Sequence, residues 1–354
     1  MFEKRPNALP FLGALGSAAV SVACAWALIL AGCASRGNNT SQHAPGHTSS
    51  EHGKTQMAAN AKTAKRLLYL SIHSTNSVYV YDLDSSSQVG VLTGFDWPRG
   101  LCVDKGGDVW ITDYIAKSIK EFARGEATAT KSFSTQGNPI DCSINPTNGD
   151  LAVANFLNGV SGNIEVWPGA SGNPALYSDQ DHCAQPSGAA YDSGGNLYFM
   201  AQGLHDPPFP NVCELPAGGG SLRYRSFDQK LWGYGSIMWD GKYIAIPSAS
   251  SSSFETAKLY RVVRLPSGDL KTAETTDLTN TCNAKRNLLG PSTIVGKSNT
   301  PANTSQGTAI VGLDDIDAQC SGVKTWTYPN GGNPTSSLSL PGGNGADGIA
   351  ISIE

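Results

Sequence analysis

Short runs of alternating apolar and polar residues, broken by turn residues, recur from Arg66 onward. The clearest lies between Gly100 and Phe122. Leu101-Cys102-Val103 is apolar, Asp104-Lys105-Gly106-Gly107-Asp108 is turn chemistry, and Val109-Trp110-Ile111-Thr112 is a β-branched and aromatic return. Glycine and aspartate tolerate the positive φ of a tight hairpin, whereas branched and aromatic side chains suit a pleated surface. Asp113-Tyr114 ends the return, and Ser118-Ile119-Lys120-Glu121-Phe122 alternates again. The pattern predicts strand, tight turn, strand, loop, strand.

The unit then repeats. Strands predicted at 67–72, 77–83 and 89–92 come first, with no inner strand ahead of them. Full copies begin at Pro98, Asn138, Gln185, Gly233 and Gly290, the last with an inner turn swollen by residues 297–307. A lone inner strand, 347–353, ends the chain. The partnerless strands at the two ends complete one another as a sixth unit. Four-strand repeats of roughly 40–55 residues predict an all-β, six-bladed β-propeller with both terminal segments in one blade. Such closure removes the open edge that invites aggregation. A seventh blade hidden in 266–313 is the alternative.

Composition agrees. The chain has 40 glycines, 20 prolines and only 15% charged residues, as expected for many short strands joined by turns. Residues 66–354 suffice for one large domain with a full core. A net charge of −4 without a basic stripe leaves nucleic-acid binding no electrostatic support.

The first residues have another character. Lys4 and Arg5 precede a charge-free run from Phe11 to Leu30, which ends in Leu30-Ala31-Gly32-Cys33. This resembles the lipobox of bacterial lipoproteins. The resemblance implies that residues 1–32 are a signal peptide and that Cys33 carries a lipid. The domain would then be anchored to a membrane of the cell envelope, at the periplasm or cell surface. An uncleaved anchor or simple secretion are the alternatives, and both also place the domain outside the cytoplasm. Residues 33–65, rich in Ser, Thr, Gly and His, predict a flexible tether to the propeller domain at 66–354. His43, His47 and His52 read as part of that solvated tether.

Eight cysteines occur, and Cys24 and Cys33 belong to the leader. Six remain, an even number suited to disulfides in an oxidising compartment. Cys183 precedes an inner strand and Cys213 lies on the third strand of the same unit. Cys282 and Cys320 hold comparable places two units on, so each couple is expected to pair. Cys102 and Cys142 lie on consecutive inner strands. Aligning Asp104 with Asn145 offsets Cys142 by one residue, which reverses its face, so the two can meet across a blade interface.

The segments 98–113 and 186–199 share the pattern Pro-x-Gly, apolar run, Asp-x-x-Gly-Asp/Asn, apolar-aromatic. This resembles the NHL-repeat and gluconolactonase-like group of six-bladed propellers. Lactonases of that group hold a divalent cation with a Glu, two Asn and an Asp. A hard cation bound by oxygens polarises an ester carbonyl and activates water. Asp347-Gly348 matches one such segment, but Arg99-Gly100 and Ser187-Gly188 stand where Asn-Gly is wanted. Places after return strands hold Asp113, Asn155 and Gln202, without the His of a related lyase type. His73, His182 and His205 lie in no nucleophile motif. The channel-mouth candidates are Arg99, Asp113, Tyr114, Asp141, Asn155, Gln202 and Asp347. The expectation is a scaffold that binds a protein, glycan or small molecule, with no catalysis, cofactor or metal. A metal-dependent lactonase using calcium or a similar cation is the alternative.

Overall fold

The computed structural model describes residues 54–204, 210–233, 235–249, 257–279, 289–295, 309–314, 322–340 and 346–354. Cys33, the His-containing tether segment, Cys282, Cys320 and His205 lie outside the described residues. No described helix is long and apolar enough to cross a membrane.

The described strands form six antiparallel four-stranded meanders. Blade 1 combines the inner strand Gly348–Ile353 with Arg66–Ile72, Ser77–Asp82 and Ser87–Leu92. Blade 2 is Pro98–Val103, Val109–Asp113, Ser118–Phe122 and Ala129–Ser134. Blade 3 is Asn138–Ile144, Leu151–Asn158, Ser161–Trp167 and Ala175–Tyr177. Blade 4 is Gln185–Tyr191, Leu197–Gln202, Asn211–Leu215 and Arg223–Arg225. Blade 5 is Met238–Trp239, Ile244–Ala249, Ala257–Arg264 and Leu270–Leu278. Blade 6 is Leu289–Val295, Ala309–Asp314, Gly322–Thr327 and Gly331–Leu338. The outer strands of blades 5 and 6 touch through one parallel pair, Leu278 with Gly332.

Each blade buries both faces, which explains the dense apolar runs. Val109 and Ile111 join the core shared with blade 1, around Tyr69, Val80 and Leu92. Trp110 points the other way and packs with Leu151, Val153 and Trp167 of blade 3. Successive side chains of a strand face opposite sides, so one strand feeds two cores. The described residues hold six such clusters, one for each neighbouring pair of blades. The cluster of Leu68, Leu70, Ile349 and Ile351 with Val295 and Val323 closes the ring between blades 6 and 1. Between blades 2 and 3 the Phe133 ring stacks on Trp110 and Trp167, with centroids 5.6 and 5.5 Å away.

Glycine at the third place of Pro-x-Gly has a packing reason. A Cβ on Gly100 would collide with Ile140 O and Asp141 of the next inner strand, and one on Gly348 with Arg99 O. At these two places only a bare backbone lets the inner strands approach so closely.

The packed unit begins upstream of Arg66, within the predicted tether. Gln56–Met57 adds a short strand to the edge of blade 1, and Ala61 is fully buried in a 3₁₀ turn at Ala59–Thr63. Small Ala side chains settled against blades 1 and 2 carry no alternating pattern, so this packing left little trace in the sequence.

The described residues form two disulfides. Cys102 joins Cys142 across blades 2 and 3 with Cα atoms 5.6 Å apart, and Cys183 joins Cys213 with Cα atoms 6.1 Å apart. The first closes a loop of sequence separation 40. Replacing both Cys102 and Cys142 by Ser is expected to lower stability by about 2–4 kcal/mol, mainly by freeing the unfolded chain. The urea midpoint measures this, and reductant should then shift the variant less than the parent protein.

Candidate functional site

The ring has two ends. The upper end carries the loops between second and third strands and those entering each inner strand. The lower end carries the hairpin turns between inner and second strands, such as 104–108 and 145–150.

At the upper end, five side chains converge where blades 1 and 2 meet. Asp347 immediately precedes the C-terminal inner strand. Its Oδ1 accepts a hydrogen bond from Arg99 Nη1 at 2.6 Å. Its Oδ2 accepts the His73 backbone N–H at 3.0 Å and lies 2.5 Å from His73 Nδ1. The Asp347 amide donates to Ser71 O, and Ser71 Oγ donates to Arg99 O. His73 stacks on Trp97 at 5.1 Å, and Trp97 meets Tyr114 at 5.4 Å. The Arg99 guanidinium sits 5.7 Å from the Trp97 ring and 5.8 Å from that of Tyr114, favourable cation–π geometry. Burial raises the Tyr114 phenol pKa, and the Arg99 charge opposes that rise.

Trp97 is held at φ +74°, where a bulky residue is strained by about 1–3 kcal/mol. Two bonds impose it: Trp97 N donates to Asn76 Oδ1 at 3.1 Å, and Tyr114 N donates to Trp97 O at 3.0 Å. Trp97 Nε1 and Arg99 Nε are buried without hydrogen-bond partners among the described residues. Neither His73 nor Trp97 carries a site signature in the sequence. His73 follows the second strand of blade 1, as Tyr114 follows that of blade 2.

Asp113 and Asn155 are not at the mouth. Asp113 is fully buried; its Oδ1 accepts the Asp96 amide at 2.8 Å, and its Oδ2 lies 3.2 Å from Lys120 Nζ. Asn155 is equally buried and donates to Asn163 Oδ1 at 2.7 Å. In blade 3 the loop amide, from Gln136, goes instead to Glu165 Oε1 at 2.7 Å. Glu165 lies opposite Val153 as Lys120 lies opposite Ile111, so corresponding places carry opposite charges around the same structural task. Burial raises the Glu165 pKa, opposed by the Gln136 amide and Asn155. Gln202 is half-buried at the end of its strand, paired in register with Gln185.

Asp141 stands apart. A cavity of about 580 Å³ follows the axis to the lower end, and among the seven mouth candidates only Asp141 lines it. The alignment of Asp104 with Asn145 and Asp192 puts Asp141 where blades 2 and 4 have Gly100 and Gly188. Its carboxyl group spans its neighbours: Oδ1 packs against Gly100, and Oδ2 accepts the Ala189 amide of blade 4 at 3.0 Å. Burial raises its pKa from 3.8 to about 7, with the Ala189 and Cys142 amides opposing.

The lactonase ligand set does not fit these residues. Both Asp347 oxygens serve Arg99 and His73, so a guanidinium already balances the one matching carboxylate. Elsewhere, Asp104, Asp108 and Glu121 bring ligand atoms within 4.8 Å of one another at the lower end. Their oxygens are engaged by internal partners: Asp104 Oδ1 by the Asp108 amide, Asp108 Oδ1 by the Arg124 amide, and Glu121 by Thr130 and Lys131. Burial raises the Asp104 pKa.

Residues 95–122 match the NHL repeat. The segment covers the first three strands of blade 2 and the loop carrying Trp97. No curated protein matches the sequence. Solved structures share the fold at low identity. A nidogen/laminin complex chain superposes with a TM-score of 0.58 at 15% identity, covering 81% of this chain and 98% of that one. TolB from Acinetobacter baumannii gives 0.54 at 14%, covering 82% and 67%. The Cps50 (Swd1) β-propeller domain of Myceliophteria thermophila gives 0.52 at 10%, covering 81% and 85%. The chain is a β-propeller, and one of its blades matches the NHL repeat.

Proposed function

We propose that the chain is an envelope β-propeller, lipid-anchored through Cys33, that docks a protein partner on its upper face. The observation carrying this reading is the placement of exposed apolar side chains. Ile115, Val160 and Leu204 are 46%, 74% and 41% exposed, and they sit on the upper loops of three consecutive blades, 2 to 4. Leu176 and Tyr224, 48% and 47% exposed, lie on the outer strands of blades 3 and 4. Every large exposed hydrophobic among the described residues is thus in blades 2 to 4. Such concentration marks interaction surfaces better than scattered singles do. The disulfides suit an oxidising compartment outside the cytoplasm. The nidogen/laminin structure shows that a propeller of similar fold occurs in a protein complex.

The test uses full-length protein in envelope fractions, with cross-linking before solubilisation. Changing Ile115, Val160 and Leu204 together to Ser should leave stability within about 0.5 kcal/mol, as for exposed sites. It should abolish the cross-linked adduct; an undiminished adduct overturns the docking reading. Cys33→Ser should move the chain from the membrane to the soluble fraction, and continued membrane retention would overturn lipid anchoring.

A further inference from the structure

The axial cavity reaches the lower end of the ring, away from the proposed docking face, and its wall includes a disulfide. Cys102 and Cys142 both line it. Each sits close to the lower rim. Cys102 immediately precedes Val103, which pairs with Val109 in the last rung before the 104–108 turn. Cys142 lies two residues before Ile144, which pairs with Leu151 ahead of the 145–150 turn. Beyond them, Lys105 and Gly106 of the same wall are exposed. The two halves of the bridge are not equally enclosed: Cys102 is half-buried, whereas Cys142 is 3% exposed.

The other disulfide among the described residues is set differently. Cys183 and Cys213 are 1% and 0% exposed, belong to the apolar cluster between blades 3 and 4, and take no part in the cavity wall. Exchange at a disulfide needs a thiolate to reach one of its sulfurs, so access selects both the bond and the sulfur attacked. Blades 2 and 3 are also joined by more than the Cys102–Cys142 bond. Phe133 stacks on Trp110 and Trp167, and Gly100 packs on Ile140 and Asp141. A released Cys142 thiol has an acceptor already in place, since its sulfur lies 3.8 Å from Trp110 O.

We propose that Cys102 is a thiol-exchange site for a small aliphatic thiol entering from the lower end of the channel. The thiolate attacks Cys102 Sγ, a new S–S bond forms between them, and the Cys102–Cys142 bond breaks. Its electron pair leaves on Cys142 Sγ, which takes a proton from water. The products are a mixed disulfide at Cys102 and a free thiol at Cys142, with no net oxidation or reduction. Attack of the Cys142 thiolate on Cys102 Sγ of the mixed disulfide expels the small thiol and restores the bridge. The charged lining favours a cationic thiol, since the carboxyl groups of Asp104, Glu121, Asp141 and Asp240 outnumber the ammonium groups of Lys105 and Lys131. The site is independent of the docking reading, because it lies at the opposite end of the ring.

Cysteamine, an aliphatic aminothiol, is the probe. The full-length oxidised protein is exposed to it at about pH 8, where a thiol is partly ionised, without denaturant. Samples taken at early times are quenched by alkylation and mapped by mass spectrometry. The expected result is cysteamine on Cys102 and the alkyl group on Cys142, with the Cys183–Cys213 bridge exchanging more slowly by roughly tenfold or more. The rate should hold constant at urea concentrations well below the unfolding midpoint, because attack occurs on the folded ring. Exchange of both bridges at one rate overturns the proposal. So does cysteamine on Cys142 in place of Cys102, a rate that climbs with urea in step with global unfolding, or no exchange at all.

Discussion

Asparagine in place of Asp141 is expected to stabilise the ring above neutral pH while leaving it little changed near the acid end. Folding moves the Asp141 carboxyl from 3.8 to about 7 because burial disfavours its charged form more than two amides favour it. The unfolded chain therefore releases this proton first. Below the unfolded value both states are protonated and no penalty applies. As pH rises from about 4 to about 7, the native state loses roughly 1.4 kcal/mol per pH unit, and the loss levels off above that. The accumulated penalty is on the order of 4 kcal/mol. Asparagine retains an oxygen for the Ala189 amide and never ionises. Urea midpoints of parent and variant across this range check the prediction, since other titrating groups cancel in the difference. Parallel curves would show that the carboxylate ionises in the fold at no cost.

The second large effect concerns ring closure. Asp347→Ala should destabilise the protein by about 3–5 kcal/mol, because it strands the Arg99 guanidinium in a largely enclosed setting. The Arg99 side chain is 16% exposed and that of Asp347 10%, so water compensates little. The same carboxylate holds the His73 amide and ring, linking the C-terminal inner strand to both the N-terminal segment of blade 1 and blade 2. Loss should therefore appear first as faster amide exchange along Gly348–Ile353, with blade 4 unaffected at low denaturant. Asp347→Asn, which keeps an acceptor for one donor, should lose less. Uniform acceleration of exchange around the ring would argue against a local clasp.

Much of the architecture was legible because it rests on short-range pattern. Alternation places Trp110 and Ile111 on opposite faces, and the structure puts each in a different inter-blade core. The one-residue offset between Cys102 and Cys142 reads directly as facing sulfurs, and the bond is there. The site was less legible. Asp113 looked like a mouth residue because it ends a strand at the correct end of the ring. Lys120 and the Asp96 amide, from two other segments, draw it into the blade. Glu165 gave no signal, since its role depends on an amide from another loop. Trp97 carries no turn signature; its left-handed backbone is imposed by Asn76 and Tyr114.

What the sequence determined by itself was the period of two, the turn residues that break it, the split blade shared by the two ends, and therefore the six-fold ring. These are properties of neighbours along the chain, where side-chain direction follows from position. Only the tertiary structure decided which carboxylates are consumed by the frame and which faces the axis. Asp347, Asp113 and Asp141 are alike as residues near strand ends. Their fates differ because curvature of the ring brings a guanidinium to the first, an ammonium to the second, and to the third only backbone amides and an open channel.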